Sequence, residues 1–85
     1  RFIGGTIYDP EFDEVVIGVE VNLQNEDDGT SISCKTDDFG DFWVDGLSPG
    51  KYLVTIKNNG YINKELKADI TEKDINLGDI ALDKK

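Results

Sequence analysis

Carboxylates are the most numerous charged groups in this chain, and several of them cluster in short turn-like segments. Asp37, Asp38 and Asp41 lie within five residues of one another. A calcium site needs several convergent oxygen ligands, usually at alternate positions of a loop. Phe39 interrupts that spacing, and aspartate side chains readily hydrogen-bond to their own backbone in turns. We therefore interpret this cluster as turn chemistry and predict no metal site.

The other candidates for chemistry are an acidic run at 26–28 and a single cysteine. Paired carboxylates can hydrolyse glycosides only when they face each other across a cleft, and a hairpin tip at 26–28 offers no cleft. The chain has no His and one Cys, so the usual zinc, haem and iron–sulfur ligand sets cannot be assembled from it. Cys34 has no basic neighbour on its own face and is interpreted as an unreactive core residue. We predict no catalytic, metal-binding or cofactor-binding residue.

Two aromatic residues are better candidates for binding another molecule. Phe42 and Val44 occupy the inner face of a predicted strand, so alternation places Trp43 on its outer face. Phe12 lies in an acidic loop over residues 10–14. Exposed tryptophan is enriched at contact hot spots, although neighbouring side chains could equally cover it. The candidate contact surface consists of Trp43, Phe12, Asp41 and Asp45.

Length and charge restrict the class of protein. The 85 residues form one predicted domain, 1–85, and the net charge is −9. Nucleic acid and anionic membranes are disfavoured partners, because both require clustered Lys and Arg. No apolar run approaches the ~18 residues of a membrane helix, so no membrane insertion is predicted. The chain starts at Arg1 with a strand pattern, and we expect it to be excised from a longer chain.

Short alternating segments separated by turn residues predict an all-β protein. The inner faces are predicted to carry Ile32 and Cys34 on the third strand, and Ile62 is an apolar member of the sixth. A helical turn is predicted over 71–74, and Gly78 indicates a bulge in the last strand. The fold class is a seven-stranded antiparallel Greek-key sandwich, with strands near 2–9, 18–25, 30–36, 42–47, 52–56, 61–70 and 75–83.

Residues 36–54 carry a motif that points to a family. They read T-D, then G-x-F-x-V, then L-x-x-G-x-Y-x-V, and Gly60-Tyr61 follows. This pattern resembles carboxypeptidase regulatory-like domains and the related Cna-B-type and transthyretin-like (prealbumin-like) modules. The resemblance implies a β-sandwich that acts as a non-catalytic accessory domain, with other domains or subunits of its parent protein as partners.

The opening segment 1–9 is similar to the junction where a ferredoxin-like subunit of molybdopterin oxidoreductases passes into a terminal β domain. That resemblance implies the C-terminal domain of an iron–sulfur electron-transfer subunit, with the clusters upstream and on the cytoplasmic or periplasmic side of a bacterial complex. The alternative is an extracellular or cell-surface stalk or glycan-binding module, in which Trp43 would be the sugar platform.

Overall fold

The computed structural model describes all 85 residues and consists of strands, turns and loops. No helix long and apolar enough to cross a membrane is present. The eight strands are β1 (Ile3–Asp9), β2 (Glu14–Val15), β3 (Glu20–Asn25), β4 (Ser31–Lys35), β5 (Asp41–Val44), β6 (Lys51–Lys57), β7 (Lys64–Asp69) and β8 (Ile75–Ala81).

The strands form two four-stranded sheets that pack face to face. In the first, sheet A, β1 pairs with β5 along its first half and with β2 at its end, both antiparallel. Strand β8 pairs with β1 over both of these stretches, so it must occupy the opposite edge, and it runs parallel to β1. Sheet B has the order β4-β3-β6-β7 and is antiparallel throughout.

Side chains from both inner faces meet in one hydrophobic core. Alternation along β3 buries Val21 and Leu23, and alternation along β6 buries Tyr52, Val54 and Ile56, as the sequence predicts. The predicted inward positions Phe42 and Val44 of β5 are also buried. The core consists of Ile3, Ile7, Val19, Val21, Leu23, Phe42, Val44, Leu47, Tyr52, Val54, Ile56, Ala68, Ile70, Ile80 and Leu82.

The predicted sandwich is confirmed, with differences in strand number and direction. The structure has eight strands, because Glu14–Val15 forms a two-residue strand where a loop was predicted. The β1–β8 pair is parallel, whereas an antiparallel pairing was predicted throughout. Residues 71–73 form bends and the predicted helical turn over 71–74 is absent, since no apolar periodicity follows the weak capping pattern there.

The predicted inward position of Ile32 is wrong, and the predicted sixth strand begins too early. Ile32 is 46% exposed and Ile62 is 54% exposed. Ile32 lies on β4, an edge strand of sheet B, where sheet A does not cover its inner face. Ile62 precedes β7 and is not part of any strand. Strand β7 is an edge strand, as its polar sequence predicts.

Two predicted glycine features are located by the structure. The register of β1 with β8 shifts between Gly4 and Thr6, opposite the stretch that contains Gly78 (φ +72°), so the predicted bulge is confirmed. The Asp28-Gly29 hairpin is also present, joining β3 and β4. Only Gly29 of that pair has a positive φ, so the turn is not the two-residue type I′ turn that Asp-Gly favours.

Candidate functional site

The outer face of sheet A carries the largest aromatic residue of the chain. Across the sheet, Gly4 of β1 lies between Trp43 of β5 and Asn76 of β8. Two residues further along β1, where the side chains again point outward, Thr6 lies between Asp41 and Asp79. The Thr6 hydroxyl donates a hydrogen bond to Asp41 Oδ1, which fixes that carboxylate against the sheet. We call this outer face, formed by the two rows, the Trp43 surface.

The indole of Trp43 contacts two residues of β1 and the segment before it, yet much of it remains exposed. Its ring stacks on Phe2, with ring centroids 3.9 Å apart and planes 20° apart. A Cβ at Gly4 would lie only 2.9 Å from Trp43 Cε3, so the indole lies across the bare backbone of that glycine. Even so, Trp43 is 58% exposed. A rigid, exposed aromatic of this kind loses little conformational entropy when a partner covers it.

The two sheets differ in charge. The strands of sheet A contain no Lys or Arg, and their acidic residues are Asp9, Glu14, Asp41 and Asp79. Sheet B contains all the lysines found in strands. The Trp43 surface is therefore an aromatic patch in a negative field, which favours a cationic partner. The sheet B lysines are Lys35, Lys51, Lys57, Lys64 and Lys67.

The four predicted contact residues do not form one patch. Asp41 and Trp43 share the outer face of β5, and Asp45 follows at its end with its carboxylate accepting a hydrogen bond from the Gly46 amide. Phe12 is 54% exposed but lies beyond the far end of β1, where Lys84 Nζ sits 3.9 Å from the centre of its ring. Phe12 and Trp43 therefore lie at opposite ends of β1, since Trp43 pairs with Gly4 near the start of that strand.

A second cluster, which the sequence analysis missed, surrounds the buried carboxylate of Asp9. Tyr61 donates a hydrogen bond of 2.8 Å to Asp9 Oδ2, and Lys84 Nζ lies 3.6 Å from the same oxygen. The Glu11 amide donates to Asp9 Oδ1 at 2.9 Å. These partners are far apart in sequence, so no local pattern indicates them. A depression beside the cluster is lined by apolar residues that include Phe12, Val15, Val16 and Ile17.

The contacts of Asp9 change the pKa of its carboxyl group. Burial alone would raise the pKa of Asp9, but hydrogen bonds from Tyr61 and the Glu11 amide, together with the charge of Lys84, lower it below 3.8. The pKa of Tyr61 is raised, mainly because its hydroxyl donates to Asp9. Folding stability from Asp9 is therefore present above its ordinary pKa and lost as the pH falls through the lowered value. Stability from Tyr61 is present below its ordinary pKa and lost as the pH rises through the raised one.

We expect the stability of Tyr61→Phe to depend less on pH in the acidic range than that of the parent chain. Without the hydroxyl donor, the pKa of Asp9 in the folded state rises toward its ordinary value, so less stability is lost on acidification. The measurement is the urea midpoint from about pH 2 to pH 7, with Tyr8→Phe as the matched tyrosine control. Midpoint curves for Tyr61→Phe and the parent chain that run parallel below about pH 4 would contradict the assignment.

The acidic turns are organised by their own backbone. Asp37 Oδ1 accepts hydrogen bonds from the Phe39 and Asp41 amides at 2.9 and 3.0 Å. Asp28 Oδ1 accepts from both the amide and the hydroxyl of Thr30, and those bonds lower the pKa of Asp28. Asp37 and Asp28 thus each stabilise the turn in which they lie. The structure contains no group of three or more His, Cys, Asp or Glu residues that could hold a metal ion.

Cys34 is half-buried on β4, and burial raises the pKa of its thiol. A raised pKa reduces the fraction present as the reactive thiolate at neutral pH. The thiol is therefore not activated.

Comparison with known families agrees with this geometry. The sequence profile of the carboxypeptidase regulatory-like domain matches residues 3–83. No protein among the curated sequences matches the chain.

Solved structures share the fold at low sequence identity. The pilus 2b backbone protein of group B streptococcus is 16% identical with a TM-score of 0.73, and the match covers 98% of this chain and 40% of that one. The TIE protein of Bacillus anthracis is 22% identical with a TM-score of 0.77, covering 98% and 17%. The 5-hydroxyisourate hydrolase of Klebsiella pneumoniae is 18% identical with a TM-score of 0.72, covering 95% and 90%. The chain thus spans less than half of the first two proteins.

Proposed function

Since this chain belongs to the carboxypeptidase regulatory-like domain family, we propose that it is a non-catalytic module of a longer, multidomain protein at the bacterial cell surface. It spaces neighbouring domains and docks one of them through the Trp43 surface. The observation that carries the proposal is that almost the whole chain superposes on a minor part of a pilus backbone protein. A complete sandwich with its own core can be added to a chain as one unit.

The state of the acidic residues supports a non-catalytic role. The same fold occurs in an enzyme of similar length, so the fold alone does not decide the question. In this chain, Asp28 and Asp37 accept hydrogen bonds from neighbouring backbone amides in their own turns. Asp9 is held by Tyr61 and Lys84. These carboxylates therefore have partners within the fold, which favours a structural role over that of a general base.

Charge and shape together favour a docked protein domain as the partner of the Trp43 surface. An arginine or lysine of that domain can contact the exposed part of the indole, whose ring quadrupole attracts a cation. In the adjacent row, Asp41 and Asp79 lie on either side of Thr6, and their negative charge also attracts a cation. The role of the surface is therefore to fix the orientation of a neighbouring domain.

The surface location is tested by labelling cells that produce the parent protein. We expect antibodies raised against residues 1–85 to bind intact, unpermeabilised cells. Labelling that appears only after permeabilisation would refute a surface location. A cytosolic protein of the same cells serves as the control for membrane integrity.

The docking role is tested by the fluorescence of Trp43, the only tryptophan in the chain. We expect Trp43 to be readily quenched by acrylamide in the 85-residue chain and protected in the parent protein, with the other tryptophans replaced by phenylalanine. Trp43→Ala should release the neighbouring domain, while its cost to stability is small, about 0.5–1.5 kcal/mol for the lost stacking on Phe2. Phe39→Ala, at a 73% exposed position in a turn, is the matched control. Equal quenching in both contexts would argue against docking.

Glycan binding by Trp43 is the second candidate, favoured by the same exposed ring and its polar neighbours Thr6 and Asn76. It predicts that soluble oligosaccharides, and no protein domain, protect Trp43 from quenching. The iron–sulfur interpretation of the opening segment gains no support, since none of the proteins compared above is described as an iron–sulfur subunit.

A further inference from the structure

The first and last strands of the chain are neighbours in sheet A and run in the same direction. Strand β1 pairs with β8 from Ile3↔Ile75 to Tyr8↔Ala81. Because the strands are parallel, the start of β1 and the end of β8 lie at opposite ends of the pair. Tension between the two termini therefore pulls the strands past each other along their length, and the ladder is loaded in shear.

Shear loads several interactions at once. The ladder is extended by a hydrogen bond from the Ile75 amide to the Phe2 carbonyl (3.2 Å) and by one from the Leu82 amide to the Tyr8 carbonyl (2.9 Å). On its other edge, β1 is also bonded to β5 and β2, so it cannot slide without losing those bonds. Peeling a strand away breaks the same bonds one after another, which needs less force than breaking them together.

The side chains oppose sliding as well. Ile80 and Leu82 are 5% and 0% exposed, and Ile3 and Ile7 of β1 are fully buried beside them. A slip of one residue would turn each inward side chain toward solvent, because side chains alternate with a period of two. The bulge around Gly78 adds a fixed irregularity to the register, so β8 fits against β1 in one position.

Both ends of the pair are also tied to other parts of the domain. At the start of β1, the Arg1 guanidinium donates to the Ile70 carbonyl at 3.0 Å, and the Phe2 amide donates to Asp74 Oδ1 at 3.0 Å. After β8, the Ile62 amide donates to the Asp83 carbonyl, and the Lys85 amide donates to the Gly60 carbonyl. These ties keep the ends of both strands in line with the ladder.

We propose that the β1–β8 pair is a mechanical clamp, and that this domain bears tension between its two ends without unfolding. The inference rests on the proposed function, in which the domain is joined in series to its neighbours. Each domain in such a series carries the full tension, so a shear-loaded pair is where resistance to stretching is needed.

Single-molecule force spectroscopy tests the clamp by changing only the direction of pulling. In a Cys34→Ala background, the domain is first pulled from its two termini. It is then pulled from the C-terminus and from Glu11→Cys, an exposed position just beyond β1 at the same end of the pair as the end of β8. The second geometry peels β8 from β1 through identical contacts. We expect its unfolding force to be lower by about twofold or more, because the ladder bonds then break in sequence.

Equal melting temperatures with and without the Glu11→Cys substitution serve as the control, since the contrast must come from direction and not from stability. Equal unfolding forces in the two geometries, or a lower force between the termini, would overturn the clamp. That result would leave the surface-labelling outcome untouched. Conversely, a strong directional contrast in a domain that intact cells do not expose would refute the proposed location and leave the clamp standing.

Discussion

Replacing Phe42 by alanine is expected to lower the free energy of unfolding by about 3–5 kcal/mol, the usual cost of truncating a buried phenylalanine. Phe42 is 3% exposed. Its ring packs so closely that a Cβ at Gly5 would lie 3.0 Å from Phe42 Cε1. A domain of this length has a net stability of about 4–13 kcal/mol, so the variant should lose a large part of it. Urea denaturation followed by far-ultraviolet circular dichroism measures the loss.

The chain offers a matched control three residues away. Phe39→Ala removes the same ring from a position that is 73% exposed, and it should change stability by no more than about 0.5 kcal/mol. A similar loss in both variants would mean that the ring of Phe42 does not lie in the core. A Phe42→Leu variant, which keeps much of the apolar volume, should recover part of the stability that Phe42→Ala loses.

Alternation in the sequence predicts burial well where a strand is covered by the opposite sheet. Val21 and Val54 lie on the two central strands of sheet B, and both are fully buried as predicted. Ile32 belongs to the same kind of alternating segment, yet it is exposed because β4 lies at the edge. The pattern specifies which side chains share a face of a strand. It does not specify whether another layer covers that face.

Strand direction and distant pairing lie beyond what local patterns encode. A short turn dictates an antiparallel hairpin, as at the turn that contains Gly29, but nothing near β8 specifies that it joins β1 in parallel. The same limit applies to the candidate site. Alternation places Trp43 outside, whereas its stacking on Phe2 depends on the pairing of two strands distant in sequence. The hydrogen bond from Tyr61 to Asp9 could not be predicted for the same reason, because the two residues are far apart in sequence.

The Trp43 surface and the β1–β8 pair belong to one sheet, and this arrangement connects the two proposed roles. The indole lies across Gly4, whose neighbour on the other side is Asn76 of β8. A partner docked on Trp43 therefore rests on the same strands that would carry tension. Docking adds contacts across β5, β1 and β8, so it should oppose their separation as any ligand of the folded state does. Orientation of a neighbour and resistance to stretching would then support each other.

Gly40→Ala is the second substitution with a large expected effect. It tests the packing at the junction where β1 stops pairing with β5 and starts pairing with β2. Gly40 has φ +74°, a region that costs a residue with a Cβ roughly 1–2 kcal/mol. A Cβ there would also lie 2.7 Å from the Val15 Cβ and 2.8 Å from the Ile7 carbonyl oxygen. That carbonyl accepts a hydrogen bond from the Val16 amide, so it cannot yield freely. Overpacking adds about 1–3 kcal/mol, for an expected loss of about 2–5 kcal/mol.

Gly29→Ala separates the two causes. Gly29 has φ +77°, close to that of Gly40, but an added Cβ would meet nothing within 4 Å. It should therefore lose only the roughly 1–2 kcal/mol of the backbone conformation. The difference between the two variants, measured by urea denaturation under identical conditions, is the cost of the contacts with Val15 and Ile7. Equal losses would show that Gly40 is required only for its backbone conformation, and that the junction between β5 and β2 has room for a methyl group.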